Sequence, residues 1–197
     1  MSLEPVPGGT LAAVVTFLEM CERPALAAMP TSAFRLQPVE NRDTASYREL
    51  FRAVGSNWLW FSRLALSDDE LAAILTDPLV ELLHVRDGES LVGMLELDFR
   101  GAGECEIAFV GLLPAHSGKG HGRWLLAEAV RRAWAPGVRR VHVHSCTLDH
   151  PAALAAYRRA GFTVVSRAIE TFVDPRLNGL LPRSAAPQVA LIEAAEN

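Results

Sequence analysis

The sequence predicts an α/β domain built on a central sheet, mixed but mostly antiparallel, twisted and flanked by helices. Three observations predict it. From Val80 the hydrophobic period changes to two. Turns at Asp87-Gly88 and Gly101-Ala102-Gly103 then separate three strands, Val80–Arg86, Leu91–Phe99 and Glu104–Leu113, an antiparallel meander. Next, a glycine loop joins the last of these strands to a helix-like run, Arg123 to Trp134. Finally, two more strands, Val138–Thr147 and Phe162–Val173, flank a short helix that Gly161 terminates.

The other elements follow in order. Residues 1–32 are rich in Pro, Ala and Gly around an apolar run, Leu11 to Leu18, and read as an N-terminal extension. The β-branched Val14-Val15-Thr16 permits a short strand there, and a helix is equally defensible. Ala33–Val39 alternates as a first core strand. Asp43 or Thr44 caps a helix through Gly55, with Tyr47, Leu50, Phe51 and Val54 at helical spacing. Asn57-Trp58-Leu59-Trp60-Phe61 reads either as a hydrophobic plug or as one wall of a substrate pocket. Ser67 and Glu70 form a capping box for a helix to about Thr76. Pro136-Gly137 stops the helix after the glycine loop. Val141 and Val143 then face one way and His142 and His144 the other. Asp149-His150-Pro151 starts the next helix, proline suiting a first turn. The division is an extension 1–32, a domain 33–173 and a loop-like tail 174–197.

Composition narrows the function classes. Half of the 197 residues are hydrophobic, enough for one well-filled core. The net charge of −4 argues against nucleic acid as the main partner. Three widely spaced cysteines, Cys21, Cys105 and Cys146, contain no CxxC pair and suit a reducing cytoplasm better than a disulfide scaffold. Leu11 to Leu18 has no basic residues before it and is too short to span a membrane. The arginines Arg131, Arg132, Arg139, Arg140, Arg158 and Arg159 read as solvated faces or as reach toward a ligand's phosphates.

Pro114-Ala115-His116-Ser117-Gly118-Lys119-Gly120-His121-Gly122-Arg123 carries the strongest chemical signal. Strand, glycines and helix N-terminus together make an anion cradle from main-chain N–H groups. A P-loop would need Ser or Thr after the lysine, and Gly120 stands there. A dinucleotide fingerprint needs G-x-G-x-x-G, and the spacing here is G-x-G-x-G.

Two motifs in the right order carry a family resemblance. Ser117-Gly118-Lys119-Gly120-His121-Gly122 is similar to motif A of the GCN5-related N-acetyltransferases (GNAT), usually Arg/Gln-x-x-Gly-x-Gly/Ala. His150-Pro151-Ala152-Ala153-Leu154-Ala155-Ala156-Tyr157, with Gly161-Phe162, is similar to motif B, usually Asn-x-x-Ala-x-x-x-Tyr. Ser117 and His150 depart from the usual residues. Cys146 to Pro151 resembles a bacterial subgroup with mostly unassigned acceptors. The resemblance spans about Ala33 to Val173. It implies the GNAT fold, with a split between the fourth and fifth strands counted from Ala33–Val39. Acetyl-CoA would be the co-substrate, held by Leu112, Leu113, Ser117, Gly118, Lys119, Gly120, His121, Gly122, Arg123 and His150. The activity implied is acetyl transfer to a primary amine of a small molecule or protein, with no nucleic acid or membrane partner and room for a homodimer. A non-catalytic acyl-CoA-binding regulatory module is the rival.

The chemistry needs a base for the ammonium, donors for an oxyanion and an acid for the thiolate. Tyr157 matches the family acid, and a backbone N–H near Leu112 is the oxyanion donor. Glu106 is the first candidate base, expected to share a face with Ala108 while Ile107 and Phe109 take the other. Glu96, paired on its face with Asp98, is the second. His144 is a candidate proton relay and Cys146 a lesser candidate covalent relay. His142-x-His144 with His150 falls short of a clear zinc set.

Overall fold

The computed structural model describes residues 3–25 and 29–194. The strands are β1 (Thr10–Met20), β2 (Arg35–Pro38), β3 (Val80–Asp87), β4 (Ser90–Asp98), β5 (Glu104–Leu112), β6 (Arg140–Cys146) and β7 (Thr163–Val173). The helices are α1 (Thr44–Gly55), α2 (Asp68–Thr76), α3 (His121–Ala133) and α4 (Ala153–Arg159). Caps set the early helices as the sequence implies. Asp43 accepts the Ser46 N–H at 2.8 Å ahead of α1, and Ser67 with Glu70 closes the capping box of α2. No helix among the described residues is long and apolar enough to cross a membrane.

One seven-stranded sheet runs β2-β3-β4-β5-β6-β1-β7, antiparallel except for the β5–β6 pair. The apolar run that reads either as helix or as strand is β1. It is no appendage to a domain beginning at residue 33. It lies inside the sheet, with Leu18 opposite Val143 on β6 and Val14 opposite Ile169 on β7. Its alternation is that of an interior strand: Ala13, Val15 and Leu18 are buried while Ala12, Val14 and Phe17 face outward. Arg140 fastens this end of the sheet, reaching Glu19 on β1 at 2.7 Å and Glu104 on β5 at 3.0 Å.

The core has two main parts. On the α3 face, Trp124, Leu125, Ala129 and Val130 pack on Leu95, Leu97, Ile107, Val141 and Val143. On the other face, Phe51 and Val54 of α1 pack with Met94, Leu59 and, from the segment after β7, Leu181, Ala185 and Ala186. The expected loop-like tail is therefore part of the core. Arg176, 3% exposed, anchors it by pairing with Asp174 at 2.6 Å and donating to the carbonyls of Ala185, Ala186 and Val189.

Candidate active site

β5 and β6 pair only where Glu104–Glu106 meets Arg140–His142. Beyond that they diverge, and a cavity of about 1240 Å³ fills the split. The Leu113 N–H donates to Val92 on β4 at 2.8 Å. Since strand hydrogen bonds alternate sides, the N–H groups of Val110 and Leu112 turn toward the split, and that of Leu113 does not. Leu112 lines the cavity and Leu113 does not.

The glycine loop closes one end. Gly118 (φ +75°) and Gly120 (φ +88°) hold left-handed conformations that side chains disfavour. A Cβ built on Gly118, Gly120 or Gly122 would meet no atom within 4 Å, so space for a ligand stands directly against the main chain. Gly120 is the N-cap of α3 and offers no side chain, which leaves the first-turn N–H groups to another acceptor. Ser117, Gly118, Gly120, Gly122 and Arg123 line the cavity. Lys119 and His121 do not. The His121 ring stacks on Phe34 at 4.0 Å, and its Nδ1 lies 3.3 Å from Ser32 Oγ.

The opposite end depends on an irregularity. In the β4–β5 pairing Leu97 faces Ile107 but Glu96 faces Phe109, so Ala108 is an extra residue, a β-bulge. The expectation that Ile107 and Phe109 share a face fails for this reason. Ile107 packs into the α3 core, whereas Phe109 joins Phe51 and Trp60 on the other side. Glu106 lies on that side too, 3.2 Å from His144 Nδ1 on β6. The hydrogen bond from His144 holds the Glu106 carboxyl below its usual range, and the same bond pushes the His144 imidazole up. Glu170 and Phe172 of β7 line the cavity beside this pair.

Glu96 takes a different place. It is wholly buried, outside the cavity lining, with Oε1 accepting from Arg63 Nη2 at 2.6 Å and Oε2 from the Tyr47 hydroxyl. Burial and then the Glu96 charge push that hydroxyl well above its ordinary range, so Tyr47 stays a donor. Asp98 is paired with Arg100 at 2.5 Å. The expected paired carboxylates are thus each taken by an arginine, and Glu96 is buried out of a substrate's reach. It serves instead to hold Arg63, whose guanidinium carbon lies 5.0 Å from the centre of the Phe109 ring.

Asp149 organises the remaining wall. It accepts from Ser145 Oγ and Cys146 N, both at 2.9 Å, and from Trp60 Nε1 at 3.1 Å. The helix expected at Asp149 begins only at Ala153, since the Asp149 side chain bonds back to Ser145 and Cys146 rather than capping the turn ahead. His150 Nδ1 accepts the Ala152 N–H at 3.1 Å, and its ring stands against Trp58. Tyr157 of α4 reaches the cavity, and burial, then the Asp149 charge, push its hydroxyl far up. Trp58 to Arg63 all line the cavity. Burial also raises the Cys146 thiol, which disfavours the thiolate a covalent relay needs.

The structure thus brings Tyr157, Glu106, Leu112, His150 and the loop glycines to one cavity and leaves Glu96, Leu113, Lys119 and His121 outside it. Sequence reasoning missed Arg63 and Asp149. The first lacked any local motif, and the second was absorbed into a helix start.

Trp60 is seated in slots that only glycine allows. A Cβ on Gly111 would lie 2.5 Å from Val54 Cγ1 and 3.1 Å from Trp60 Cη2, and one on Gly55 would lie 2.5 Å from Trp60 Cβ. Gly111→Ala should therefore cost about 1–3 kcal/mol by overpacking, a fall in Tm of about 2–12 °C for a chain of this size. An unchanged melting curve would show that α1 and Trp60 can retreat freely.

Residues 42–162 match the acetyltransferase (GNAT) family. Over 89 residues the chain is 36% identical to mycothiol acetyltransferase of Corynebacterium efficiens, a match that takes in 45% of this chain and 30% of that one. A GCN5-related N-acetyltransferase from Sphaerobacter thermophilus superposes with a TM-score of 0.58 at 20% identity, covering 85% of this chain and 52% of its own. A putative GNAT-family acetyltransferase from Novosphingobium aromaticivorans gives 0.58 at 17%, covering 85% and 69%. The chain spans about half the length of the Sphaerobacter protein and under a third of the Corynebacterium one. The matched region contains both motifs and the strands that open the split, and the chain belongs to the GNAT acetyltransferase family.

Proposed function

We propose that the chain moves an acetyl group from acetyl-CoA to a primary amine of a small molecule or protein by direct attack. One observation carries this reading. A single cavity runs from the glycine cradle, along the open edge of β5, to the Glu106–His144 pair and the aromatic wall. The cradle suits a pyrophosphate, since it offers main-chain N–H groups, a helix N-terminus and Arg123. Ser117 stands where Arg or Gln is usual, so the grip falls on the backbone. The open edge suits an amide-bearing arm that pairs like an added strand.

In the reaction, an alkylammonium with a pKa near about 10.4 gives up a proton. Neutral His144 takes it on Nε2, because its Nδ1–H donates to Glu106. Glu106, the first candidate base, then acts as the group that orients and supports the imidazole. The amine forms the new C–N bond, and the N–H groups of Val110 and Leu112 face the oxyanion. The C–S bond breaks, and the thiolate takes the Tyr157 proton. The three unpaired cysteines fit a cytoplasmic setting.

The decisive assay is thiol release from acetyl-CoA with a panel of amines. Turnover of some amine supports the reading. CoA binding without turnover of any amine would favour a regulatory acyl-CoA-binding module, and no CoA binding would sink the reading outright. The pH profile tests the pair. The base form of His144 grows as pH rises through its raised pKa, so kcat/KM should climb through that value. Glu106→Gln removes the anion that raises it. The ascending limb should move to lower pH and the plateau should fall about tenfold or more. An unmoved limb would remove His144 from the reaction.

A further inference from the structure

β1 and β2 are consecutive in the chain but lie sixth and first in the sheet order, so a link joins strands far apart in the sheet. Its ends are fixed on α3. Trp134 Nε1 donates to Met20 Sδ at 3.4 Å past the helix's last turn, while Phe34 stacks on His121 in its first. The described ends of the link thus meet opposite ends of α3. Arg23, Pro24 and Met29 from it become cavity wall, with Arg131 of α3 and Arg159 of α4. Three arginines from three separate segments thus line one cavity in a chain of net charge −4. Arg131 is paired with Glu128 at 2.7 Å, whereas Arg23 and Arg159 form no ion pair with another described residue. Along α3, Arg131 lies eight residues from Arg123, about 12 Å at the helical rise.

We propose that Arg23, Arg131 and Arg159 form a second anion subsite, for the phosphomonoester on the nucleotide end of the acyl donor. This rests on the reading that the donor is an acyl-CoA. CoA carries two separate anionic groups. The pyrophosphate belongs to the glycine cradle, and the 3′-phosphate hangs from a ribose beyond it. A phosphomonoester takes several guanidinium N–H groups at once, and the arginines supply them from both helices and the link. Arg23 comes from the link that joins β1 to β2, strands far apart in the sheet.

The test compares CoA with 3′-dephospho-CoA by calorimetry on the whole chain. The wild type should bind CoA about tenfold or more tightly than 3′-dephospho-CoA. Arg23→Ala and Arg159→Ala should each weaken CoA by about 3–10-fold and leave 3′-dephospho-CoA unchanged, with Arg23→Lys recovering part of the loss. Equal wild-type affinity for the two ligands would overturn the subsite while leaving the donor reading intact. An equal loss for both ligands in Arg23→Ala would also overturn it, since it would mark a structural role for the link. No binding of either ligand would overturn the donor reading, and the subsite with it.

Discussion

Gly120→Asp should abolish CoA binding in a chain that still folds. At φ +88° any side chain is strained, by about 1–2 kcal/mol. The new carboxylate meets no protein atom, because the space beyond Gly120 is open. Its negative charge would stand at the N-terminal end of α3, where the helix dipole otherwise favours a bound anion. That is how it would exclude the ligand: the protein's own anion takes the place of the pyrophosphate and repels what remains. CoA affinity should drop at least about 100-fold, measured by calorimetry, with near-native circular dichroism. Gly120→Ala separates the strain from the charge and should lose far less. Wild-type affinity in Gly120→Asp would end the cradle reading.

Arg176→Leu should destabilise the fold strongly. Arg176 is buried with Asp174, and it also satisfies carbonyls of the segment that folds back under α1. Leucine would fill much of the volume, leave the buried carboxylate with only the backbone N–H of position 176, and take the guanidinium donors from the carbonyls of Ala185 and Val189. Breaking such a pair from one side costs about 3–5 kcal/mol, a fall in Tm of about 6–20 °C for a chain of this size. The pH dependence has a definite sign. Burial alone would raise the Asp174 carboxyl, but the bonds and charge of Arg176 outweigh it and hold it below its usual range. A carboxylate with a depressed folded-state pKa adds stability that is full above its unfolded value and is lost as pH falls through the folded one. The wild type should therefore shed this contribution only in acid, and the variant should lack it at neutral pH. A variant melting with the wild type would mean that the segment contributes little to the fold.

Much of the frame was legible because its signals are local. Asp87-Gly88 makes a hairpin wherever two strands flank it, and Ser67 with Glu70 caps a helix from four residues alone. The glycine loop announces itself by composition. What stayed hidden depended on distant partners. Val14-Val15-Thr16 sits in an apolar run that fits a strand or a buried helix alike, and only the presence of β6 and β7 decides between them. Glu96 reads as a candidate base because Arg63 and Tyr47, which claim it, lie in other segments. The bulge at Ala108 has no signature in sequence, yet it moves Phe109 to the Glu106 side of the sheet. Asp149 read as a helix start because aspartate often is one, and nothing near it revealed the indole that it holds.

The interior position of β1 also sets the order in which the molecule can assemble. The Val14 N–H finds its acceptor, Thr147 Oγ1, 133 positions along the chain. Contacts of that separation slow folding, since a long loop must close before they contribute. At a synthesis rate of about 5–20 residues per second, β1 waits about 7–27 seconds for its neighbour to be made. Through that interval Leu11 to Leu18 is an unpaired apolar strand, while the meander can already form beside it. Seating β1 between β6 and β7 thus depends on the most distant pairings in the sheet.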